Sequence, residues 1–259
     1  MREKIEAWVG EFVKGYRESS QTESQWQEPL VGFADAADKG FLELKERVSP
    51  THALPEDFLE DAQTVVAFFI PFAPEIPVSN QGGTEASREW AVAYIETNQL
   101  ILQLNTYICR QLEKEGYRGT VIPATHNFSK ETLLSDWSHR HVAYLAGLGS
   151  FGLNNMLITE KGCCGRIGSL VTNAKVAADS IVRGENCLYK HNGTCRKCAA
   201  SCVHEALHLT GFDRHRCYEK CLENAAAHKK LGLADVCGKC LVKMPCSTQN
   251  PAGRLRNRG

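Results

Sequence analysis

Nine of the chain's twelve cysteines fall within the sixty residues from Cys187 to Cys246, in the order Cys187, Cys195-x2-Cys198-x3-Cys202, Cys217-x3-Cys221 and Cys237-x2-Cys240-x5-Cys246. A C-x2-C pair sets two thiolates on one short turn, where both reach the same metal, while a cysteine a few residues further on points to a second one. The spacing therefore predicts two [4Fe-4S] clusters with crossed ligands. Cys187, Cys195, Cys198 and Cys246 would hold one cube, and Cys202, Cys217, Cys237 and Cys240 the other. Cys221 is left over, to replace Cys217 or to stand beside it. Zinc is the competing reading, because C-x2-C is also its commonest chelating unit and nine thiolates could complete two four-cysteine sites. The x2-then-x3 spacing and the two such runs flanking a central single cysteine favour iron–sulfur.

The rest of the composition narrows the setting. Thirty basic residues balance thirty acidic ones in 259 residues, so no global field draws in nucleic acid or an anionic membrane. The first residues are charged with no apolar run behind them, and the longest apolar stretch, 65–70, is too short to span a bilayer. We expect a cytoplasmic protein without membrane attachment, in a compartment where dense cysteine usage means metal or redox chemistry more often than disulfides.

The elements that must position the thiols come earlier in the chain. Residues 2–17 carry Ile5, Trp8, Val9, Phe12, Val13 and Tyr16 at helical spacing. Residues 30–33 read as a short strand, and 64–70 as a strand covered on both faces. A long helix is expected from a cap at Thr84 to about Glu115, with Gly116 as its stop, and Cys109 on it as a core thiol. A strand over 119–122, a helix carrying 138–145, and strands over 154–159 and 166–172 paired as a hairpin complete the first part. Beyond residue 178 apolar periodicity fades, so ligands must help that part fold.

Other groups could also carry chemistry. His139, Arg140 and His141 with Gly147 and Gly149 are the candidate cofactor-binding residues of the first part. Alternate helix positions do not share a face, so the histidines are not expected as a metal pair, and the glycines suit a turn better than a phosphate loop. Cys163 and Cys164 sit on a Gly-flanked turn, where small side chains allow close approach to a cofactor or cluster. His204 and His208 lack the spacing of a zinc finger. Arg254, Arg256 and Arg258 read as a basic tail over 251–259.

The order of these features resembles epoxyqueuosine reductases and their relatives, among which reductive dehalogenases are similar in layout. The resemblance rests on Ala146-Gly147-Leu148-Gly149, the strand after it, the Gly turn leading to Thr172, C-x2-C-x3-C, Asp213-Arg214-His215-Arg216-Cys217 and Cys237-Gly238-Lys239-Cys240. Residues 30–33 and 59–66 extend it to nearly the whole chain. It implies an α+β protein: a nitroreductase-like, corrinoid-binding domain over 1–178, then a ferredoxin-like domain with two [4Fe-4S] clusters over 179–250. Electrons from a ferredoxin or flavodoxin would pass through the clusters to cobalamin and reduce a small-molecule or nucleoside substrate, with tRNA as its carrier in the family. The sequence departs from the family in the seven residues between Cys187 and Cys195, in Val203 after Cys202, and in the x5 spacing before Cys246. The family's acidic proton donor aligns with Leu133, and the nearby carboxylate Asp136 is assigned its catalytic role. Two readings stay beside this one: an electron-transfer or binding protein without corrinoid, and a zinc-stabilised binding protein.

Overall fold

The computed structural model describes residues 1–123 and 128–256. Its centre is a four-stranded antiparallel sheet of β1 (Leu30–Asp35), β2 (Thr64–Pro71), β3 (Gly119–Val121) and β6 (Gly165–Thr172), in the order β1-β2-β6-β3. Leu30 lies opposite Phe69, and Thr64 opposite Thr172. All eight residues of β2 are buried, because both faces of the sheet are covered by helices. Successive side chains point to opposite faces. Val66, Phe68 and Ile70 meet α1 (Arg2–Ser20) and α5 (Arg88–Lys114) through Val9, Val13, Ile101 and Leu104. Val65 and Ala67 pack on the other side with Phe41 and Leu44 of α2 (Gly40–Arg47), and with Trp137, Val142 and Leu145 at α6 (His139–Leu145).

Two expectations about these elements change. The long helix starts at Arg88, and its cap is Ser87, whose Oγ accepts from Trp90 N at 3.1 Å; Thr84 lies upstream of it. Residues 154–159 and 166–172 are not a hairpin pair. Instead β4 (Gly149–Phe151) pairs with β5 (Leu157–Thr159), while β6 turns away to join the main sheet. A strand's alternation shows which side chains point inward but leaves its pairing partner open.

Between β1 and α5 the chain adds the short α3 (Pro55–Phe58) and α4 (Glu75–Ser79). After β6 it runs through α7 (Leu188–Asn192), α8 (Lys197–Ala200), α9 (Arg214–Ala227) and α10 (Gly253–Arg256) with long irregular stretches between them. Buried polar side chains tie this region to the first. Asn224, fully buried, accepts from Ala86 N at 3.1 Å and donates to Val236 O at 2.8 Å. Asn186 donates to Ile158 O at 2.7 Å and accepts from Asn250 Nδ2 at 2.9 Å. The segment read as a basic tail is anchored at its start: Pro251 and Ala252 are buried and α10 follows. Arg258 lies outside the described residues. Among the described residues no helix is long and apolar enough to cross a membrane.

Candidate functional site

The thiols gather in two places. Cys187, at the start of α7, joins Cys195 and Cys198 around α8 and Cys246 near the chain's end, lining a small cavity walled by Leu153, Ile158, Met244 and Pro251. Cys202, Cys217, Cys221, Cys237 and Cys240 line a second, open cavity with about 1510 Å³ of free space. The helix spacing of α9 puts Cys217 and Cys221 one turn apart on one face. Asp213 caps that helix, its Oδ1 accepting from His215 N and Arg216 N at 3.0 Å each. The turn from Cys237 to Cys240 is held from both sides by Asn80, which donates to Cys237 O at 2.9 Å and accepts from Lys239 Nζ at 3.0 Å through its carbonyl.

All twelve thiols are unpaired by disulfides. Among the described residues no three His, Cys, Asp or Glu side chains converge as a single-ion site. The thiols of each group line one shared cavity. Burial and neighbouring thiols oppose the ionisation of several of these cysteines. Burial pushes Cys198 up to about 11, and burial followed by its neighbours Cys217, Cys237 and Cys202 raises Cys240. Cys217 is the exception, lowered by its hydrogen bond with Cys221 and by the Arg140 guanidinium.

A cleft with about 960 Å³ of free space adjoins the second cavity, sharing Phe128, Arg140, Met156, Cys163, Gly165 and Arg166 with it and adding Phe69, Trp137 and His139. Arg140 Nη1 donates to Asn155 O at 2.7 Å. The Arg166 guanidinium stacks 4.4 Å over the Tyr94 ring, and its buried Nε has no acceptor. Cys163 is buried between Cys164 and Cys246, its N donating to Cys246 O at 3.0 Å.

The other assignments from the sequence fare differently. Asp136 is exposed and lines neither cavity nor cleft; Oδ1 accepts from Thr51 Oγ1 at 2.5 Å, which turns the carboxylate outward. His139 is bound at both ring nitrogens, to Ser169 Oγ and Pro123 O at 2.8 Å each, and burial holds it down near 4. His141 bonds Ser138 Oγ at 2.7 Å and packs on Phe151. Both ring nitrogens of His139 are thus engaged, and His141 lines neither the cleft nor the second cavity. Gly147 and Gly149 are there for packing: a Cβ would meet Ser180 O at 2.6 Å and Ile158 O at 2.2 Å. Of the five cofactor candidates, Arg140 is the one with a side-chain group available to the cleft. Leu133 lines the second cavity, with a left-handed backbone at φ 53°. Arg166 and Trp90 were missed. An arginine near the start of a largely apolar strand was the available clue for the first.

Among solved structures, the fold is similar to that of epoxyqueuosine reductases. The enzyme from Streptococcus thermophilus aligns with a TM-score of 0.54 and 19% identity, over 92% of this chain and 66% of its own. The Bacillus subtilis enzyme, captured with its catalytic aspartate loop swung out of the active site, aligns at 0.53 and 18% identity, over 93% of this chain and 65% of its own. An epoxyqueuosine reductase with an epoxyqueuosine-modified tRNA-Tyr stem loop aligns at 0.54 and 18%, over 92% and 64%. The chain thus spans about two thirds of the length of these structures. No protein-family model and no curated protein matches it.

Proposed function

From a fold shared with epoxyqueuosine reductases, we propose that this chain is a cytoplasmic iron–sulfur reductase with a nitroreductase-like first domain and a ferredoxin-like second one. Cys187, Cys195, Cys198 and Cys246 would hold one [4Fe-4S] cluster, and Cys202, Cys217, Cys237 and Cys240 the other. One observation carries this reading. The last cysteine of the third run, Cys246, lies with the first cavity, while the last of the C-x2-C-x3-C run, Cys202, lies with the second, which is the crossing that two-cluster ferredoxins use. The clusters supply one-electron transfer at potentials set by sulfur hydrogen bonds and burial.

The chain's own residues then define the acceptor. Phe69, Phe128 and Trp137 give the cleft flat apolar walls, and Arg140 and Arg166 offer guanidinium donors without a carboxylate partner. That lining fits a planar group rimmed by amides or phosphate, as in cobalamin, or a nucleoside, alone or within tRNA. Cobalamin bound there would supply a low-potential metal centre for reductive bond cleavage. A ferredoxin or flavodoxin is the natural one-electron donor.

Metal analysis of anaerobically purified protein tests the reading. About eight irons with matching sulfide per chain are expected; a colourless protein containing zinc would overturn it. Cobalamin titration should shift the corrinoid spectrum and raise the thermal midpoint. The second reading, an electron-transfer protein without corrinoid, draws on Leu133 standing in the cavity where the family has its acid. A cluster-loaded protein that leaves cobalamin unperturbed would favour it.

A further inference from the structure

Trp90 is 2% exposed and its indole N–H has no acceptor among the described residues. The neighbouring cases differ: Trp26 Nε1 donates to Thr97 Oγ1 at 2.8 Å and Trp137 Nε1 to Ser169 Oγ at 3.0 Å. Buried donors in native folds find partners, so an orphan calls for an explanation. Its surroundings give one. The ring sits in the wall of the second cysteine cavity, held edge-on by Phe72 at 5.3 Å and 88°. The turn between Cys237 and Cys240 runs directly over it: a Cβ on Gly238 would meet the ring at 2.4 Å and Nε1 at 2.6 Å. Gly238 has φ +75°, so both its conformation and this approach exclude a side chain there. Neither partner is free to drift. Asn80 pins the turn at Cys237 and Lys239 and also accepts from Ser87 N, the cap of the helix that carries Trp90.

We infer that the Trp90 indole N–H donates to a sulfur of the cluster held by Cys202, Cys217, Cys237 and Cys240, and thereby sets that cluster's potential. The inference rests on the cluster reading above and adds to it a tuning residue for one cluster of the two. An indole is a donor only, and a fixed donor at sulfur favours the more negatively charged, reduced state. The other cluster's cysteines line a separate cavity that Trp90 does not reach, so the effect is confined to one centre.

The W90F variant keeps an aromatic ring and removes the N–H. Iron and sulfide per chain should match the wild type, while redox titration followed by EPR should show one midpoint falling and the other unmoved. A tenfold loss in the reduced-to-oxidised ratio at fixed poise is a 59 mV fall for one electron. An iron-replete W90F with both midpoints unchanged overturns this inference alone; a wild-type protein without iron overturns the cluster reading and this inference together. Should W90F fail to hold iron, the wild type carrying indole-15N tryptophan decides the matter. A hyperfine coupling between the reduced cluster and that nitrogen supports the contact, and its absence overturns it.

Discussion

On the proposed two-cluster reading, replacing Gly162 with alanine should unload one cluster and leave the other. Gly162 has φ +79°, and a Cβ there would lie 2.5 Å from Ser247 O, Thr248 N and Gln249 N, all backbone atoms. The left-handed conformation costs a non-glycine residue about 1–2 kcal/mol. The clash cannot be relieved by a rotamer change, so the 247–249 segment must move away from the turn. That segment is joined to the turn by Cys163 N to Cys246 O at 3.0 Å, Cys163 N to Ser247 O at 3.1 Å and Cys164 N to Ser247 O at 2.9 Å. Weakening these contacts at roughly 1 kcal/mol each brings the total to about 4–5 kcal/mol, a large share of the 5–15 kcal/mol that holds a typical domain together. The displaced residue next in the chain is Cys246, the ligand that completes the first cavity. Iron in G162A should therefore fall from about eight to about four per chain, with one EPR signal lost and the thermal midpoint lowered. A G162A protein with full iron and an unchanged melt would refute the placement of Cys246 and the packing that fixes it.

The choice between the two thiols of α9 is testable by serine substitution. Cys217, whose thiolate is favoured by its hydrogen bond with Cys221 and by the Arg140 cation, is expected to be the ligand, so C217S should lose about half the iron while C221S keeps it. Acidification should weaken the fold through His139. Its ordinary value of 6.5 falls to about 4 on burial, so between those values the unfolded chain takes a proton that the folded chain refuses. Stability drops as pH falls through that window, by up to about 3 kcal/mol at 1.36 kcal/mol per unit, and a denaturant series on H139N should show a shallower decline. D136N should change turnover by less than twofold, because that carboxylate faces Thr51 and solvent. L133D should raise reduction of an epoxide substrate, since it places an acid in the cavity at a left-handed position that Asp tolerates better than Leu; equal rates for L133D and wild type would count against a proton-limited step.

The sequence was most legible where one local pattern determines one structural fact. The apolar stripe of α1 appears as Ile5, Val9, Val13 and Tyr16 buried along one face, and the run 64–70 becomes the wholly buried β2. The cysteine spacing was legible for a similar reason, since a C-x2-C turn constrains its own geometry. Pairing partners were not, because the mate of β6 is β2, about a hundred residues earlier in the chain. The same limit hid Trp90, whose relevance exists only because residue 238 folds over it. It also misdirected the assignment of Asp136: a nearby carboxylate in sequence says nothing of which way Thr51 will pull it.

Leu133 and the two arginines together constrain what the cleft can reduce. Opening an epoxide leaves charge on oxygen that needs a proton, and a general acid must stand within hydrogen-bond reach of that oxygen. Among the described residues lining the cleft and the second cavity, the carboxylate is Asp235, and it already accepts from Tyr94 Oη at 2.6 Å. Arg140 and Arg166 can stabilise the developing charge but do not release protons at physiological pH. With no unengaged carboxylic acid described there, protonation is left to non-carboxylic donors of the second cavity such as His204, Tyr218 and Lys220, and electrostatic stabilisation favours a leaving group that is a stable anion by itself over an alkoxide. The wild-type cleft should therefore discriminate between substrates by the basicity of the group expelled, and L133D should narrow that difference by assisting the poorer leaving groups most.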